Sequence, residues 1–456
     1  MSAFLVWVAV PALVGLGLFV LRRFYLLSVS LGTLFCAGMS LLAWRLPLDT
    51  DIQFSRFTFY ISSAQDLFGR QFVLEARDRP ILVVVYLLAC FWFFAVYWIR
   101  AGRMLVPLGI VLIALLIAAL MVEPFLYAGL LIALAVLVCV PILAPPGSPV
   151  RRGVLRFLTS LSLGVPFILF TGWILAGVES RPGDLFLIYR SAGLLALGFV
   201  FLLGIFPFHT WVLMLSEDIH PYAAGFVLSV LPWMISLFGL GFLDHYTWLR
   251  SDYFLTLLRW AGVAMVAMAG LGAAFEIHLG RIYGFAILTE TGLILASAGL
   301  PNASALLFEL GAPRTVSLAV WALALSVLRS RSKGMNFGSL AGWGRAYPVA
   351  AAALILAQFS VAGVPILAGF PLRLTIWNTL ASMDIFAALG LVLGSLGMIA
   401  SGLRVMAVLV TGPQDNPWSI TEPREVLTLM ALAIFFLLFF GIFPQVLTVP
   451  LFNTLQ

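Results

Sequence analysis

The chain has 456 residues, of which 63% are hydrophobic and only 10% charged, with a mean hydropathy of +1.12. No soluble core can hide that much apolar surface, so the composition predicts a polytopic membrane protein in a lipid bilayer. The net charge of +6 does not indicate a nucleic-acid partner, because the arginines fall mostly in short loops, where they set topology.

Apolar runs of about 20 residues, the length that crosses a bilayer, recur fourteen times. They lie near 3–21, 25–44, 80–99, 104–121, 124–145, 154–177, 186–212, 223–243, 255–275, 281–300, 304–328, 346–380, 384–409 and 425–447. The first, from Ala3 to Leu21, has no basic residue before it and no small-residue cleavage site, and reads as a retained span. The segment from Arg45 to Arg79 is different. Residues Asp51 to Tyr60 alternate polar and apolar, the period of a short strand or hairpin outside the membrane.

Cys36, Cys90 and Cys139 sit singly within apolar runs, without disulfide or cluster-ligand spacing, and read as packing residues. The four histidines are scattered, so no metal or haem centre is expected in this chain. No phosphate-cradling GxxxxGK[ST] loop and no dinucleotide fingerprint occurs, so ATP-driven transport by this chain alone is not expected.

The seventh and twelfth runs are interrupted. Gly198 to Trp211 contains Pro207, and Ser360 to Arg373 contains Gly363, Pro365 and Gly369, the residues read as breaking the helices. Proline removes a helical hydrogen bond and clashes with the preceding turn. In lipid such a break is tolerated only where protein or a water-lined cavity satisfies the freed groups. Matching breaks in two halves of a chain mark a transport site built from internal repeats.

Loops after odd-numbered runs carry Arg22, Arg23, Arg100, Arg103, Arg151, Arg152, Arg329, Arg331, Lys333 and Arg345, whereas short even-numbered loops carry little beyond Arg181 and Arg250. The odd loops are therefore expected in the cytoplasm and both termini outside.

Four stretches in order carry a family resemblance. Pro207–Phe208–His209–Thr210–Trp211 resembles the PFHxW element of the antiporter-like membrane subunits shared by respiratory complex I, Mrp-type cation/proton antiporters and membrane-bound hydrogenases. The stretch from Arg281 to Gly292 resembles the KRxLAYSSIxxxG element without its lysine. Ser360 to Phe370 resembles SLxGIPPLAGF, with Arg373 where a lysine commonly follows, and Ser401 to Arg404 resembles the YLR that closes the next helix. The agreement runs from about residue 80 to 410, and the branch it resembles most is the smallest antiporter-like subunit of complex I.

The resemblance implies an all-α fold of fourteen transmembrane helices, with spans four to eight and nine to thirteen as two inverted five-helix repeats. It divides the chain into 1–79 (two spans and an external loop), 80–250 (first repeat region), 251–410 (second repeat region) and 411–456 (last span), without the lateral helix of the largest such subunit. It implies a non-catalytic membrane subunit of a translocating, NADH:quinone oxidoreductase-like assembly in a bacterial or archaeal cytoplasmic membrane. Quinone, flavin and Fe–S centres would then belong to partner subunits, with other membrane subunits as neighbours. Two alternatives stand beside it: a structural subunit that has lost pumping, and a subunit of an Mrp-type antiporter or an inorganic-carbon uptake complex.

The departures bear on the mechanism. Leu202 stands where relatives usually carry a lysine, five residues before Pro207. The eighth-span lysine is missing from Val230 to Trp233, the fifth span has no carboxylate, and Lys333 is the only lysine. Arginine stays charged and cannot pass on its proton. The remaining proton-path candidates are His209 and Glu290, with Arg156 and Arg373 as fixed positive charges. Each has a plainer alternative: His209 as a cap on freed backbone groups, Glu290 as a neutral carboxyl bonded to a neighbour such as Thr289, Arg156 as a snorkelling anchor, and Arg373 as a structural ion pair. Arg190, Arg259, Glu309, Arg314 and Arg404 read as snorkelling or locally paired residues near span ends.

Overall fold

A computed structural model describes residues 2–49, 51–54, 57–67, 69–75, 78–147, 149–180, 184–246, 249–332, 334–411 and 418–446. Arg181 and Lys333 lie outside these residues. The helices are α1 (Val10–Val20), α2 (Tyr25–Arg45), α3 (Arg79–Ile99), α4 (Leu105–Met121), α5 (Ala128–Leu143), α6 (Arg152–Ser180), α7 (Leu185–Leu203), α8 (Thr210–Asp218) and α9 (Pro221–His245). They continue as α10 (Asp252–Phe275), α11 (Leu279–Ala298), α12 (Ala303–Arg331), α13 (Phe337–Leu340), α14 (Trp343–Ala346), α15 (Pro348–Ala362), α16 (Phe370–Met383), α17 (Ile385–Val410) and α18 (Arg424–Ile442).

Twelve described helical segments are long and apolar enough to cross a membrane. The 17-residue α4 and the split pair α15/α16 fill the remaining two of the fourteen expected places. The alternating segment folds as expected into a hairpin, β1 (Asp51–Phe54) antiparallel to β2 (Phe57–Tyr60). A second sheet, β3 (Ala64–Leu67), β4 (Arg70–Val73) and β5 (Val122–Glu123), ties the segment between α2 and α3 to the end of α4. The short helices α13 and α14 also escape the hydropathy pattern, because four-residue helices carry no period.

Two groups of five spans share one pattern of neighbours. In the first, α4 packs on α5 and α9, α5 on α6, and α6 on both halves of the broken α7/α8. In the second, α10 packs on α11 and α17, α11 on α12, and α12 on both halves of the broken α15/α16. The centre of the bundle is α9, α11 and α12; 94% of the apolar window of α12 is buried in protein, against 22% for α18. Helices buried on all sides can be apolar all round, which is why α12 shows no amphipathic stripe.

At the arginine-rich end, Arg329 donates to the carbonyls of Ile219 and, at 3.3 Å, Asp218, fixing the turn between α8 and α9. His220 is in that turn, and burial with help from Arg329 holds its imidazole down at about 4. The unfolded chain takes up this proton near pH 6.5 and the folded chain only near 4, so stability is full above the higher value and falls as pH drops between them. The loss should reach about 3 kcal/mol. His220→Gln should flatten this acid limb, seen as a smaller drop in melting temperature of the detergent-solubilised protein between about pH 7 and about pH 4.5.

Candidate functional site

Both broken spans stop at a glycine. α7 ends at Gly204 (φ +62°), with the Ile205 N–H donating to the Val200 carbonyl at 3.0 Å. α15 ends at Gly363 (φ +81°), where the Val364 N–H reaches back to the Phe359 carbonyl at 3.0 Å. This is the left-handed glycine stop that satisfies carbonyls at a helix end. Pro207 and Pro365 lie inside the unwound stretches, where a missing N–H costs nothing and prevents rewinding. The sequence marked Gly363 as a break residue but not Gly204.

The second break is held by side chains. The Gly369 N–H donates to Ser360 Oγ at 3.0 Å, Ser360 Oγ meets Ser317 Oγ of α12 at 2.8 Å, and Ser317 donates to the Pro313 carbonyl at 2.8 Å. A Cβ at residue 369 would be 2.1 Å from the Ser360 carbonyl oxygen, so only glycine lets α16 start this close to α15. One turn later, Arg373 Nη2 donates to Glu290 Oε1 of α11 at 2.6 Å, with both side chains buried (1% and 4% exposed). This is a charge-assisted bond between a broken helix and the bundle centre. Thr289 donates instead to the Phe285 carbonyl at 2.9 Å, and the partner of Glu290 is Arg373.

Arg314 corrects a sequence expectation. It neither snorkels nor lies at a span end; it is 2% exposed in the middle of α12. Its guanidinium donates to the Ser229 carbonyl and, at 3.1 Å, to the Leu228 carbonyl of α9. Pro232 sits four residues after Leu228 and cannot donate to it, so Arg314 caps a carbonyl that α9 itself leaves free. Its position in the middle of the 304–328 run, opposite a proline-containing helix, was the available signal.

Among the described residues, the first break has no such polar hub. Leu202 holds the position that Ser360 holds in the second, five residues before the proline, and is fully buried. It packs on α6 at Gly164, where an added Cβ would be 2.9 Å from Leu202 Cγ. His209 precedes α8, half-buried, and stacks on Phe206 with centroids 5.3 Å apart. Arg156 is exposed on α6. The structure thus joins Glu290 with Arg373 and brings neither His209 nor Arg156 into hydrogen-bond contact with them.

The other charged residues vary. Arg259 meets Thr256 Oγ1 at 2.6 Å and Met383 Sδ at 3.5 Å, and Arg404 donates to the carbonyls of Ala274 and, at 3.3 Å, Glu276. Arg190 is exposed and Glu309 half-buried. Gln358 of α15 is wholly buried and donates to the Met398 carbonyl of α17 at 3.4 Å, extending the polar line beyond Ser360.

Residues 184–398, which include both breaks, match the family described as NADH:quinone oxidoreductase/Mrp antiporter, TM. Over this stretch the chain is similar to the antiporter-like membrane proteins of that family. It is 26% identical over 308 residues to NADH-ubiquinone oxidoreductase chain 2 of Marchantia polymorpha, an alignment covering 62% of this chain and 57% of the relative. It is 27% identical over 312 residues to NADH-quinone oxidoreductase subunit N of Cutibacterium acnes, covering 61% and 55%. The chain therefore spans little more than half the length of these relatives.

The fold extends further than the sequence likeness. A chain of the Mrp complex from Dietzia sp. superposes with a TM-score of 0.79 at 16% identity, covering 99% of this chain and 96% of that one. A chain of respiratory complex I from Thermus thermophilus gives 0.71 at 17% identity, covering 99% and 97%. The chain is a multi-pass membrane protein in which the buried Glu290, Arg314 and Arg373 all lie, among the described residues, in the second group of five spans.

Proposed function

We propose that this subunit takes part in proton or cation translocation within a complex I-like membrane assembly, driven by redox chemistry in partner subunits. The observation that carries the reading is the buried Glu290–Arg373 pair at the second helix break. A carboxylate in hydrocarbon is costly and marks an ion path by default. Here it is anchored to a helix start whose backbone is already open, beside Ser360, Ser317 and Gln358. Quinone, flavin and Fe–S centres belong to the partners, and other membrane subunits cover the exposed flanks. The arginine-rich ends face the cytoplasm, with both termini outside.

A scaffold role is the second reading, and fully buried Leu202 favours it. A water chain needs polar partners along its length, and the first break offers Leu202, Leu203 and Phe201 instead.

Glu290→Gln separates the two. Glutamine keeps the shape and can still accept a hydrogen bond from Arg373, but it cannot exchange a proton. In membranes containing the assembled complex, translocation should lower its ion-to-electron ratio while partner subunits still co-purify in mild detergent. An unchanged ratio in an assembled variant would leave the scaffold role as the function.

A further inference from the structure

We propose that the chain binds one phospholipid whose headgroup carries a phosphate and an ammonium. Its acyl chain lies in a cleft between the two groups of five spans, and its head in a polar cavity beside that cleft. The proposal does not rest on the translocation reading. The cleft, about 260 Å³, is walled by α7, α9, α10 and α11. It follows α7 from Leu195 to Leu203 and ends on Ile205 and Phe206 of the first break. Eight residues of helix give it a depth of ~12 Å, most of the ~15 Å of hydrocarbon in one leaflet.

The walls suit a tail. Ser236, the one polar side chain lining the cleft, spends its hydroxyl on the Pro232 carbonyl at 2.7 Å. An apolar cavity with such walls stays dry and takes up hydrocarbon. Leu257 and Phe206 in the wall are 49% and 46% exposed, which puts the cleft on the flank of the bundle and not at its centre. A tail here fills the space at the first break with hydrocarbon instead of water.

The second cavity, about 710 Å³, shares Leu240, Leu243 and Ala298 with the cleft. It lies where α9 ends, α10 begins and α11 gives way to α12, at the opposite end of α12 from Arg329. The charged residues lining it are Asp244, Arg250, Asp252 and Arg259. Asp244 is paired with Arg250, which leaves Arg259 and Asp252, one charge of each sign. That balance fits a zwitterionic headgroup and not an anionic one. Arg259 is half-buried two turns inside α10, and among the described residues no carboxylate meets it. Its guanidinium donates to Thr256 Oγ1 at 2.6 Å and to Met383 Sδ at 3.5 Å. A thioether is a weak acceptor, whereas guanidinium and phosphate form charge-assisted, often bidentate bonds. The phosphate thus takes the place of Met383 on Arg259, and Asp252, exposed in the first turn of α10, receives the ammonium.

The test is photolabelling. A phosphatidylethanolamine with a diazirine near the end of one acyl chain is added to membranes holding the assembled complex, and labelled peptides are read by mass spectrometry. Label should fall within residues 195–206 and 257–261. Arg259→Gln should lower it about tenfold, the worth of one charged hydrogen bond. Ala261→Phe fills the cleft and leaves every charge in place, so it should lower the label as well and decides the matter should Arg259→Gln fail to assemble. A phosphatidylglycerol probe should label these residues several-fold less. Labelling unchanged in either variant, or equal from the two probes, overturns the proposal. So does the absence of label on these residues together with a cross-link from position 261 to another subunit, which would show that protein fills the cleft.

Discussion

Glu290→Leu should cost about 3–5 kcal/mol, because it leaves Arg373 buried, charged and without its carboxylate. Arginine has no neutral form to retreat to. Arg373→Leu should cost less, since a carboxyl can take up a proton. The double Glu290→Leu/Arg373→Leu should recover most of the loss, as apolar replacement of a buried pair often does. Accumulation in membranes and melting temperature in mild detergent would rank the three. Equal losses in the two single variants would mean that the pair is not the sole counter-charge of Arg373, contrary to its geometry.

The sequence made the helices legible because a bilayer imposes one simple rule, an apolar run of fixed length. Fourteen runs became fourteen helical places, and the alternating Asp51 to Tyr60 became a hairpin. The same rule hid Arg314: a charged residue in an apolar run reads as a span end unless its partner is known. That partner is a pair of backbone carbonyls 85 and 86 residues away, which leaves no side-chain signature. Glu290 and Arg373 were each legible as costly residues. Their pairing across 83 residues was not, because it depends on how close α16 starts to α15, and therefore on Gly369 meeting the Ser360 carbonyl. The helix stops were half legible: Pro207, Pro365 and Gly363 pointed to the breaks, while Gly204 needed its positive φ to be recognised as the stop of α7.

The two repeats share a pattern of neighbours and differ in chemistry, and that difference can be tested by asking the first to behave like the second. Leu202→Lys restores the residue type that relatives usually carry at this position. It would put an ammonium where a fully buried leucine now packs against Gly164, with no carboxylate on α5 to meet it. A lone buried charge costs several kcal/mol or surrenders its proton, so the variant should accumulate poorly, melt well below the parent and leave the ion-to-electron ratio unimproved. Leu202→Met, which keeps the volume, should cost less than about 1.5 kcal/mol and controls for packing. The difference between the two isolates charge from shape. If Leu202→Lys were as stable as the methionine variant and raised the ratio, the first break would hold water after all, and the case for a scaffold role built on its apolar lining would collapse.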